Sequence, residues 1–541
     1  MASPNGGKPV AASQFDVIVV GGGSAGSAAA ARLAADPALQ VCLIEAGGRN
    51  DDAIVRTPGL LPFMPKRSNW AFDTAPMESL GGRVGYQPRG RGLGGSSAIN
   101  GMVYIRGNRW DYDNWAALGC TGWGWDDVLP VFRHQEGNER GGDALHGADG
   151  PLNVADQRAP SPVGIAFVEA AEQLQIPHND DFNGPRQEGM GLYQVTQKNG
   201  QRWSAARAFL DPLAGRPNLT VLTEALVEKI VVEQGRATGV AIRRGGKHEV
   251  IGARGGVVLS AGAFGSPQIL MLLGIGPGGH LAEHGIAVTR DVSAVGADLQ
   301  DHCDYLVGYE LDDPTLFGAS LRGAWAMLKG LLEHRRHGTG MLTTNFAETG
   351  GFITIRPDAP APDIQYHFIR AIIQNHGRDK VKGHGFSLHA CVLRPESRGW
   401  VRLRSADPAT SPDINPNFLS DDRDMALLRD GARLMHRIAE TPPLSGLGAR
   451  ERNPVDYHDD AALEARIREV SDTIYHPAGT CRMGPNADDV VDPTLALRGV
   501  AGLWVADASI MPRLISGNTN APSIMIGERA GTFVRAALKA A

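Results

Sequence analysis

Residues 16–26, with the sequence DVIVVGGGSAG, carry the most specific structural information in the chain. The four apolar, β-branched residues after Asp16 are typical of a buried strand. Gly21, Gly23 and Gly26 have the spacing GxGxxG, in which the lack of side chains lets a turn approach a pyrophosphate. The alanine-rich residues 27–35 predict a helix whose N-terminus faces the phosphates. The stretch therefore predicts a strand, a phosphate loop and a helix in succession.

A second buried strand is predicted for residues 41–44, VCLI, and Glu45 follows it. This carboxylate lies 19 residues after Gly26, where an acceptor for a ribose hydroxyl is expected. Another GxGxxG begins at Gly274, but it follows a helix-like run and contains Pro277, so we interpret it as a turn. One dinucleotide, FAD or NAD, is thus predicted to bind one Rossmann-type unit.

The composition of the 541 residues is that of an ordinary soluble enzyme, with 42% hydrophobic and 21% charged residues. The formal net charge of −6 argues against a nucleic-acid partner. The five cysteines are odd in number and lack CxxC spacing, which predicts reduced thiols and no metal site. Residues 1–14 are interpreted as a loose tail without the apolar core of a signal peptide, and residues 255–279 as strand, turn and helix rather than a membrane span. We therefore expect a cytoplasmic protein.

The remaining patterns divide the chain into two interleaved domains. The glycine- and serine-rich residues 89–107 predict a buried loop close to a flat or charged group. Residues 218–242 alternate as a strand meander, and residues 305–411 have period-two strands that favour an antiparallel sheet. We predict an α/β plus α+β protein. A Rossmann-type FAD-binding domain would comprise 15–155, 200–304 and 470–541, and an antiparallel-sheet substrate domain 156–199 and 305–469.

One amphipathic helix is predicted within the second domain, at residues 321–337. It places six apolar residues on one face and ends in a basic run, Arg335-Arg336-His337. The apolar residues are Leu321, Ala324, Trp325, Leu328, Leu331 and Leu332. Such a helix packs in a core or acts as a lid, and its basic end also permits contact with a membrane surface.

The C-terminal part contains a histidine in a restricted setting. His476 lies in TIYHPAGTCRMG, residues 473–484, and precedes a proline that limits its backbone conformation. Residues 503–509, LWVADAS, predict a short buried strand that ends in Asp507. Residues 517–522, GNTNAP, lead into a helix whose first turn contains Pro522. That helix directs partial positive charge toward the groups before it.

With these motifs the chain resembles the glucose-methanol-choline oxidoreductases, a family of FAD-dependent enzymes that oxidise alcohols. The resemblance extends from about Phe15 to Ala536. The first family signature is present in residues 90–113 and the second in residues 262–276, with Leu273 where the family usually has serine. The resemblance implies that His476 is the catalytic histidine of the HPxGT motif. It also implies that Asn520, 44 residues later, is the second active-site residue.

The resemblance further implies a set of FAD contacts. Some relatives tether the flavin through a histidine in the glycine loop, and since Ile99 stands there, we predict non-covalent FAD. The residues expected to contact FAD are Gly21, Gly23, Ser24, Ala25, Gly26, Glu45, Ala46, Trp70, Gly95, Asn100, Gly101, Met102, Val103, Val227 and Asp507.

The predicted reaction is the oxidation of primary alcohols, medium-chain aliphatic or aromatic, to aldehydes, with hydride transfer to flavin N5 and His476 as the base. Asn345 and Glu348 are the predicted substrate residues. Glu348 corresponds to the acid that holds trimethylammonium in choline oxidisers, but Ala347 beside it weakens an aromatic cage. Residues 191–204 are similar to bacterial dehydrogenases that reduce a quinone, so we predict a quinone-type acceptor and peripheral contact with the inner membrane through 321–337.

Four alternatives stay open at this point. They are an alcohol oxidase that uses oxygen, a choline dehydrogenase, a hydroxynitrile lyase that keeps FAD without net redox turnover, and an NAD-binding protein without flavin.

Overall fold

The computed structural model describes residues 14–379 and 381–540. The tail predicted for residues 1–14 therefore lies, except for Gln14, outside the described residues. The α-helices are α1 (Ser24–Ala34), α2 (Ala53–Arg56), α3 (Arg109–Ala117), α4 (Trp125–Gln135), α5 (Pro162–Gln173), α6 (Gly262–Leu272), α7 (Gly278–Glu283), α8 (Leu321–His337), α9 (Asp422–Ala439), α10 (Pro442–Ser445), α11 (Asp460–Val470) and α12 (Asn520–Ala540).

The strands alternate with these helices along the chain. They are β1 (Gln14–Val20), β2 (Val41–Ile44), β3 (Phe72–Asp73), β4 (Tyr86–Gln87), β5 (Glu136–Asn138), β6 (Leu152–Val154), β7 (Gly189–Leu192), β8 (Gln197–Lys198), β9 (Gln201–Arg202), β10 (Leu219–Leu222), β11 (Ala225–Glu233), β12 (Arg236–Arg244), β13 (Lys247–Leu259), β14 (Ile275–Gly276), β15 (Arg290–Asp291), β16 (Cys303–Glu310), β17 (Gly318–Ala319), β18 (Ala347–Ile353), β19 (Ile364–Ile369), β20 (Gly383–Val392), β21 (Trp400–Arg402), β22 (Asp413–Asn415), β23 (Arg450–Glu451), β24 (Asp472–Thr473) and β25 (Leu503–Val505). This mixed α/β content agrees with the predicted fold class.

A seven-stranded sheet contains the predicted phosphate-binding strand. Its parallel part has the order β10-β2-β1-β13-β25, and β12 and β11 add antiparallel strands beside the first half of β13. The apolar residues 17–20 of β1 are at most 3% exposed, as expected for a strand with neighbours on both sides and helices on its faces. Residues 219–222 were expected to join the antiparallel meander. They instead form β10, the outermost parallel strand beside β2.

Two helices cover this sheet near the phosphate loop. α1 and α12 pack side by side, and a Cβ on Gly527 of α12 would lie 2.1 Å from the carbonyl oxygen of Ala25. The N-termini of the two helices also meet, because Ser24 Oγ donates to Asn520 Oδ1 at 2.7 Å. Both helix N-termini thus lie at the carboxyl end of β1.

A second sheet has the order β23-β16-β20-β19-β18-β7, with β17 and β24 pairing to β20 and β16. These pairings are antiparallel. Because side chains alternate along a strand, Ile364, Tyr366 and Phe368 of β19 join the core with α5 and α9. The opposite face carries Gln365 and His367, both buried. The domain boundaries given above stay a prediction.

The helix α8 differs from one of its sequence-based interpretations, that of a core-packing helix. It has the expected caps, since Ser320 Oγ accepts from Gly323 N and Gly338 follows with φ 64°. Of its residues only Gly330 is buried, and the apolar stripe is exposed. The interpretation as a core-packing helix is therefore wrong. Within the described ranges, every helix is too short or too polar to cross a membrane.

Candidate active site

The GxGxxG loop occupies the carboxyl end of β1, between β2 and β13. Gly21 has φ 98°, and a Cβ there would lie 2.3 Å from the carbonyl oxygen of Ser260. A Cβ on Gly26 would lie 1.9 Å from the carbonyl oxygen of Gly21. Only glycine fits at these two positions, since real Cβ atoms essentially never come within 3.0 Å of another heavy atom. The loop thus has the tight form that leaves the N-terminus of α1 open to an anion.

The carboxylate of Glu45 lies at the same end of the sheet and is oriented by backbone groups. Oε2 accepts from Gly22 N, and Oε1 accepts from Gly47 N and Gly92 N, each at 2.8 Å. A carboxylate has about four acceptor sites, so three are used and one remains for a ligand hydroxyl. Glu45 is therefore fixed beside the phosphate loop, as a ribose-binding role requires.

The predicted glycine-rich loop, residues 89–107, packs directly on the phosphate loop. Gly94 N donates to the carbonyl oxygen of Gly22 at 2.7 Å, and a Cβ on Gly95 would lie 2.6 Å from Cα of Gly23. The buried Arg202 Nη1 holds the loop by donating to the carbonyl oxygen and to Oδ1 of Asn100 at 2.6 and 2.9 Å. The two loops together form a cradle lined by backbone, which suits an extended dinucleotide such as FAD.

The other predicted cofactor residues and the predicted substrate residue Asn345 are held by different contacts. Asp507 follows β25 and accepts from Gly262 N and Ser266 Oγ, so its carboxylate is already engaged with α6. Asn345 Nδ2 donates to the carbonyl oxygen of Gly101 at 2.8 Å and so reaches the cradle as well. Met102 has φ 58°, Val103 and Val227 are buried, and Trp70 stacks on Phe72 at 5.9 Å. The contacts of these residues with FAD stay predictions.

His476 is held through its backbone by a buried carboxylate. Asp301 Oδ1 accepts from His476 N at 2.8 Å, and Asp301 Oδ2 accepts from Thr473 Oγ1 at 2.5 Å. The preceding residue, Tyr475, has φ 76°, a conformation that non-glycine residues adopt rarely. Desolvation raises the pKa of Asp301 to about 6, although Thr473 and Arg89 act in the opposite direction. Asp301 therefore fixes the backbone of the turn that carries the imidazole of His476.

The imidazole of His476 is oriented by a second histidine, His302. Nε2 of His302 lies 3.0 and 3.1 Å from the carbonyl oxygens of Leu393 and Ile515, so this nitrogen carries a proton and donates it. Burial lowers the pKa of His302 to about 3, and its Nδ1 is consequently an unprotonated acceptor. Since the two Nδ1 atoms are 3.0 Å apart, Nδ1 of His476 must be the donor. The lone pair of neutral His476 is thereby assigned to Nε2.

Asn518, rather than Asn520, lies next to Nε2 of His476, the nitrogen that carries the lone pair. Asn518 Nδ2 is 3.1 Å from His476 Nε2, and Asn518 Oδ1 accepts from Gln365 Nε2 at 3.2 Å. Asn520 is the first residue of α12, and its side chain instead bonds Ser24 in the phosphate loop. The prediction that Asn520 shares the site with His476 is therefore corrected to Asn518. The two asparagines lie two residues apart, but the helix start turns their side chains to different sites.

Three further polar side chains border the two histidines, and sequence analysis missed them. Neither ring nitrogen of His367 has a hydrogen-bond partner among residues 14–379 and 381–540, and the same holds for Nε2 of His389 and Oε1 of Gln365. His367 and His389 are cross-strand neighbours on β19 and β20, and His389 Nδ1 lies 2.6 Å from Asp304 Oδ2. Buried polar atoms are seldom left unpaired, so this sheet face is suited to a polar ligand.

His302, His367 and His476 are neutral near pH 7. Desolvation lowers the pKa of His476 well below its ordinary value, with smaller contributions from His302, His367 and Arg89. Desolvation also lowers the pKa of His367 to about 3. A neutral, buried imidazole with its lone pair on a known nitrogen can take a proton from a bound hydroxyl group.

Glu348 is buried, but its charge is already compensated. Oε1 lies 2.9 Å from Arg370 Nη1 and 2.5 Å from Thr344 Oγ1, and Oε2 accepts from Ser161 N at 2.7 Å. None of these partners contacts His476 among the described residues. The predicted substrate carboxylate therefore belongs to a closed ion pair.

Local motifs identify part of this arrangement. The HPxGT turn and the glycine loop are visible in the sequence, whereas His302 and Asp301 carry no local motif. They lie 174 and 175 residues from His476. The pair Gln365 and His367 has only the period-two alternation of a strand with one polar face, and this pattern does not distinguish a solvent face from a buried site.

Comparisons with known proteins agree with the fold. Over 96% of its length, the chain is 43% identical to the alcohol dehydrogenase [acceptor] of Pseudomonas putida and 41% identical to the oxygen-dependent choline dehydrogenase of Rhizobium etli (strain CIAT 652), with 95% of each relative covered. The crystal structure of pyridoxine 4-oxidase from Mesorbium loti superposes with a TM-score of 0.85 at 31% identity, covering 96% of this chain and 99% of that one.

Two models of one family match most of the chain. Both are described as GMC oxidoreductase, and they match residues 15–304 and 395–527. The matches include the glycine loop, Glu45, His302, His476 and Asn518, and they confirm the resemblance inferred from the motifs. The chain therefore belongs to the glucose-methanol-choline (GMC) oxidoreductases, a family of FAD-dependent enzymes.

Proposed function

We propose that this protein oxidises neutral primary alcohols, medium-chain aliphatic or aromatic, to aldehydes with non-covalently bound FAD. The observation that carries the proposal is the His302–His476 contact at 3.0 Å, which leaves the lone pair of a buried, neutral imidazole on Nε2. A base of this kind is what an alcohol needs before its carbon gives up a hydride.

The cradle of two glycine loops would hold the cofactor. Gly21–Gly26 and the N-terminus of α1 would bind the pyrophosphate, and Glu45 would accept from a ribose hydroxyl. When bound, FAD supplies the two-electron acceptor for the hydride of the alcohol carbon. Ile99 in the second loop has no nucleophilic atom, which supports non-covalent binding.

His476 and Asn518 would act together on the hydroxyl group. Nε2 of His476 would take the hydroxyl proton, and Nδ2 of Asn518 would donate to the alcohol oxygen as its negative charge develops. The resulting imidazolium keeps its Nδ1–H bond to the neutral His302. Gln365 fixes the Asn518 amide so that its NH₂ group faces the base.

The ion pair of Glu348 supports a neutral substrate over choline. A quaternary ammonium group needs an uncompensated carboxylate or an aromatic cage. Arg370 compensates Glu348, and Ala347 stands beside it in place of an aromatic residue. The unpaired nitrogens of His367 are neutral and suit a hydroxyl or carbonyl oxygen.

We propose a quinone-type electron acceptor. The support is the 43% identity to a relative named for an acceptor, together with the likeness of residues 191–204 to quinone-linked bacterial dehydrogenases. Use of oxygen by the same site is the competing possibility, as in the relative named as oxygen-dependent.

Anaerobic stopped-flow absorbance tests the substrate and the base. The purified yellow enzyme is mixed with 1-octanol, benzyl alcohol and choline, and flavin bleaching is recorded for the wild type and His476→Ala. We expect bleaching by the two neutral alcohols and a loss of roughly 10²–10⁴-fold in rate for the variant. Preferential bleaching by choline would refute the substrate class, and near-wild-type bleaching by His476→Ala would refute the base.

Two further measurements test the acceptor and the cofactor linkage. The reduced enzyme is mixed with a soluble quinone or with oxygenated buffer, and faster reoxidation by oxygen would make the protein an oxidase. Acid precipitation should release the flavin into the supernatant, whereas yellow precipitated protein would contradict non-covalent binding.

A further inference from the structure

The helix α8 concentrates exposed apolar side chains to a degree seen nowhere else in the described residues. Among the large apolar side chains exposed to solvent, five belong to this 17-residue helix, including Leu321 at 93% and Trp325 at 59% exposure. The others are Leu328, Leu331 and Leu332. A contiguous apolar patch of this kind on a folded protein indicates an interaction surface rather than chance exposure.

The spacing places these side chains in one stripe that points away from the protein. Leu321, Trp325, Leu328 and Leu332 follow each other at intervals of four, three and four residues along one helix face. The inner face packs through Gly330, where a Cβ would lie 2.8 Å from Met341 Cγ. The helix thus contacts the protein closely at Gly330, and its apolar side remains open.

Cationic side chains accompany the stripe. Arg322, Lys329, Arg335 and Arg336 are exposed, and Glu333 is the only acid of the helix. Lys329 Nζ lies 5.5 Å from the centroid of the Trp325 ring. Arg322 reaches Asp312 at 3.9 Å, but both side chains are 83% exposed, so solvent screens this pair. The surface therefore combines leucines, a tryptophan and a net positive charge.

We propose that α8 is a membrane-docking surface that lies in the headgroup layer of a bilayer containing anionic lipids. Leucine side chains would enter the acyl boundary, the Trp325 ring would lie at the interface, and the basic residues would contact lipid phosphates. A second copy of this chain fits the same surface less well. A symmetric pairing of α8 with itself would bring the cations of both copies together.

This proposal stands without the proposed reaction, since it uses no residue of the candidate active site. A bilayer at α8 would place the enzyme where an apolar acceptor or a long-chain alcohol dissolves. Vesicle binding and flavin reduction are therefore independent, and either one can be lost without the other.

Vesicle flotation tests the surface. The full-length enzyme is mixed with vesicles of phosphatidylcholine alone or of phosphatidylcholine with phosphatidylglycerol, and the bound fraction is measured. The variants are Leu328→Glu/Leu332→Glu, which places charges in the stripe, and Lys329→Gln/Arg336→Gln, which removes two cations. The matched control is Val250→Glu/Val288→Glu, which places the same charges at two exposed apolar residues outside α8.

We expect binding to the anionic vesicles only. Each basic residue near an anionic surface contributes about fivefold to the partition coefficient, so Lys329→Gln/Arg336→Gln should lose on the order of 25-fold. The stripe variant should lose binding, and the control should bind as the wild type does. Each variant is accepted only if its circular dichroism spectrum and its flavin content match those of the wild type.

Three results would overturn the proposal. They are no binding of the wild type to anionic vesicles, equal binding of the stripe variant and the wild type, and a dimer in light scattering that the stripe variant dissociates while vesicles bind neither form. The last result would assign the stripe to a second copy of the chain.

Discussion

Replacing His302 with phenylalanine removes the acceptor that orients His476. In the structure, the bond between the two Nδ1 atoms selects the tautomer whose lone pair lies on Nε2. Loss of a buried hydrogen bond of this kind costs about 1–3 kcal/mol. If that free energy is lost from the active tautomer, its population falls about 5- to 150-fold. We expect the rate constant of flavin reduction by a saturating alcohol to fall by this factor for His302→Phe.

The assay is anaerobic stopped-flow bleaching of the flavin at several alcohol concentrations, which separates the limiting rate from the apparent affinity. The tautomer argument predicts that the limiting rate falls while the apparent affinity changes little, because the alcohol would bind at Nε2 of His476 and His302 bonds Nδ1. His302→Gln offers an amide oxygen to His476 and an NH₂ group to the two carbonyls, so it should recover part of the rate. His248→Phe, at an exposed histidine, is the matched control.

A wild-type limiting rate in a folded, flavin-loaded His302→Phe enzyme would refute this reasoning. Equal losses in the phenylalanine and glutamine variants would also refute it, because the rate would then depend on packing around residue 302. Circular dichroism and flavin content establish that each variant is folded before its kinetics are compared.

Three other predictions concern the candidate active site and the ion pair between Arg370 and Glu348. Asn518→Ala should slow flavin reduction by about 10²–10³-fold because it removes a donor at the alcohol oxygen, whereas Asn520→Ala should weaken flavin retention at a nearly unchanged rate. Identical kinetics of the two variants would refute this assignment. The rate of flavin reduction should fall as the pH drops through the pKa of His476, because the protonated imidazole cannot accept the hydroxyl proton. Burial holds this pKa below its ordinary value of 6.5. A pH-rate profile with its acidic midpoint above 6.5 would therefore contradict a neutral His476 base. Arg370→Leu should lower the free energy of unfolding by about 3–5 kcal/mol because it leaves buried Glu348 unpaired. Adding Glu348→Leu should recover most of the loss in urea denaturation, and no recovery would exclude the coupling.

The sequence predicts the phosphate loop well because its constraints are local. A strand, three glycines, a helix and Glu45 follow one another within about 30 residues, and each needs only its neighbours to form. The same holds for the HPxGT turn around His476. At these places the residue types themselves limit the backbone conformation. At Gly26, for example, any side chain would collide with the carbonyl oxygen of Gly21.

The residues and strands that the sequence analysis assigned wrongly or missed depend on packing between distant segments. Spacing alone does not decide between Asn518 and Asn520, since the start of α12 and the position of His476 determine which amide faces the base. Alternation in residues 219–222 predicts a strand, but not that its partner is β2. His302 reaches the site because β16 begins beside the turn at residues 473–478, and no short motif records this pairing.

The order of the parallel strands has a consequence for biosynthesis. β1 is completed at residue 20, yet its neighbour β13 ends at residue 259, β25 joins the other side of β13 only at residue 505, and α12 packs on α1 only after that. At ~5–20 residues per second, β1 waits ~12–48 s on the ribosome for β13, and α1 waits ~25–100 s for α12. During that time the apolar residues 17–20 lack their final neighbours, a state that favours association with chaperones. Because Asn520 at the start of α12 bonds Ser24 in the phosphate loop, the cradle is complete only when the final helix has been made and docked.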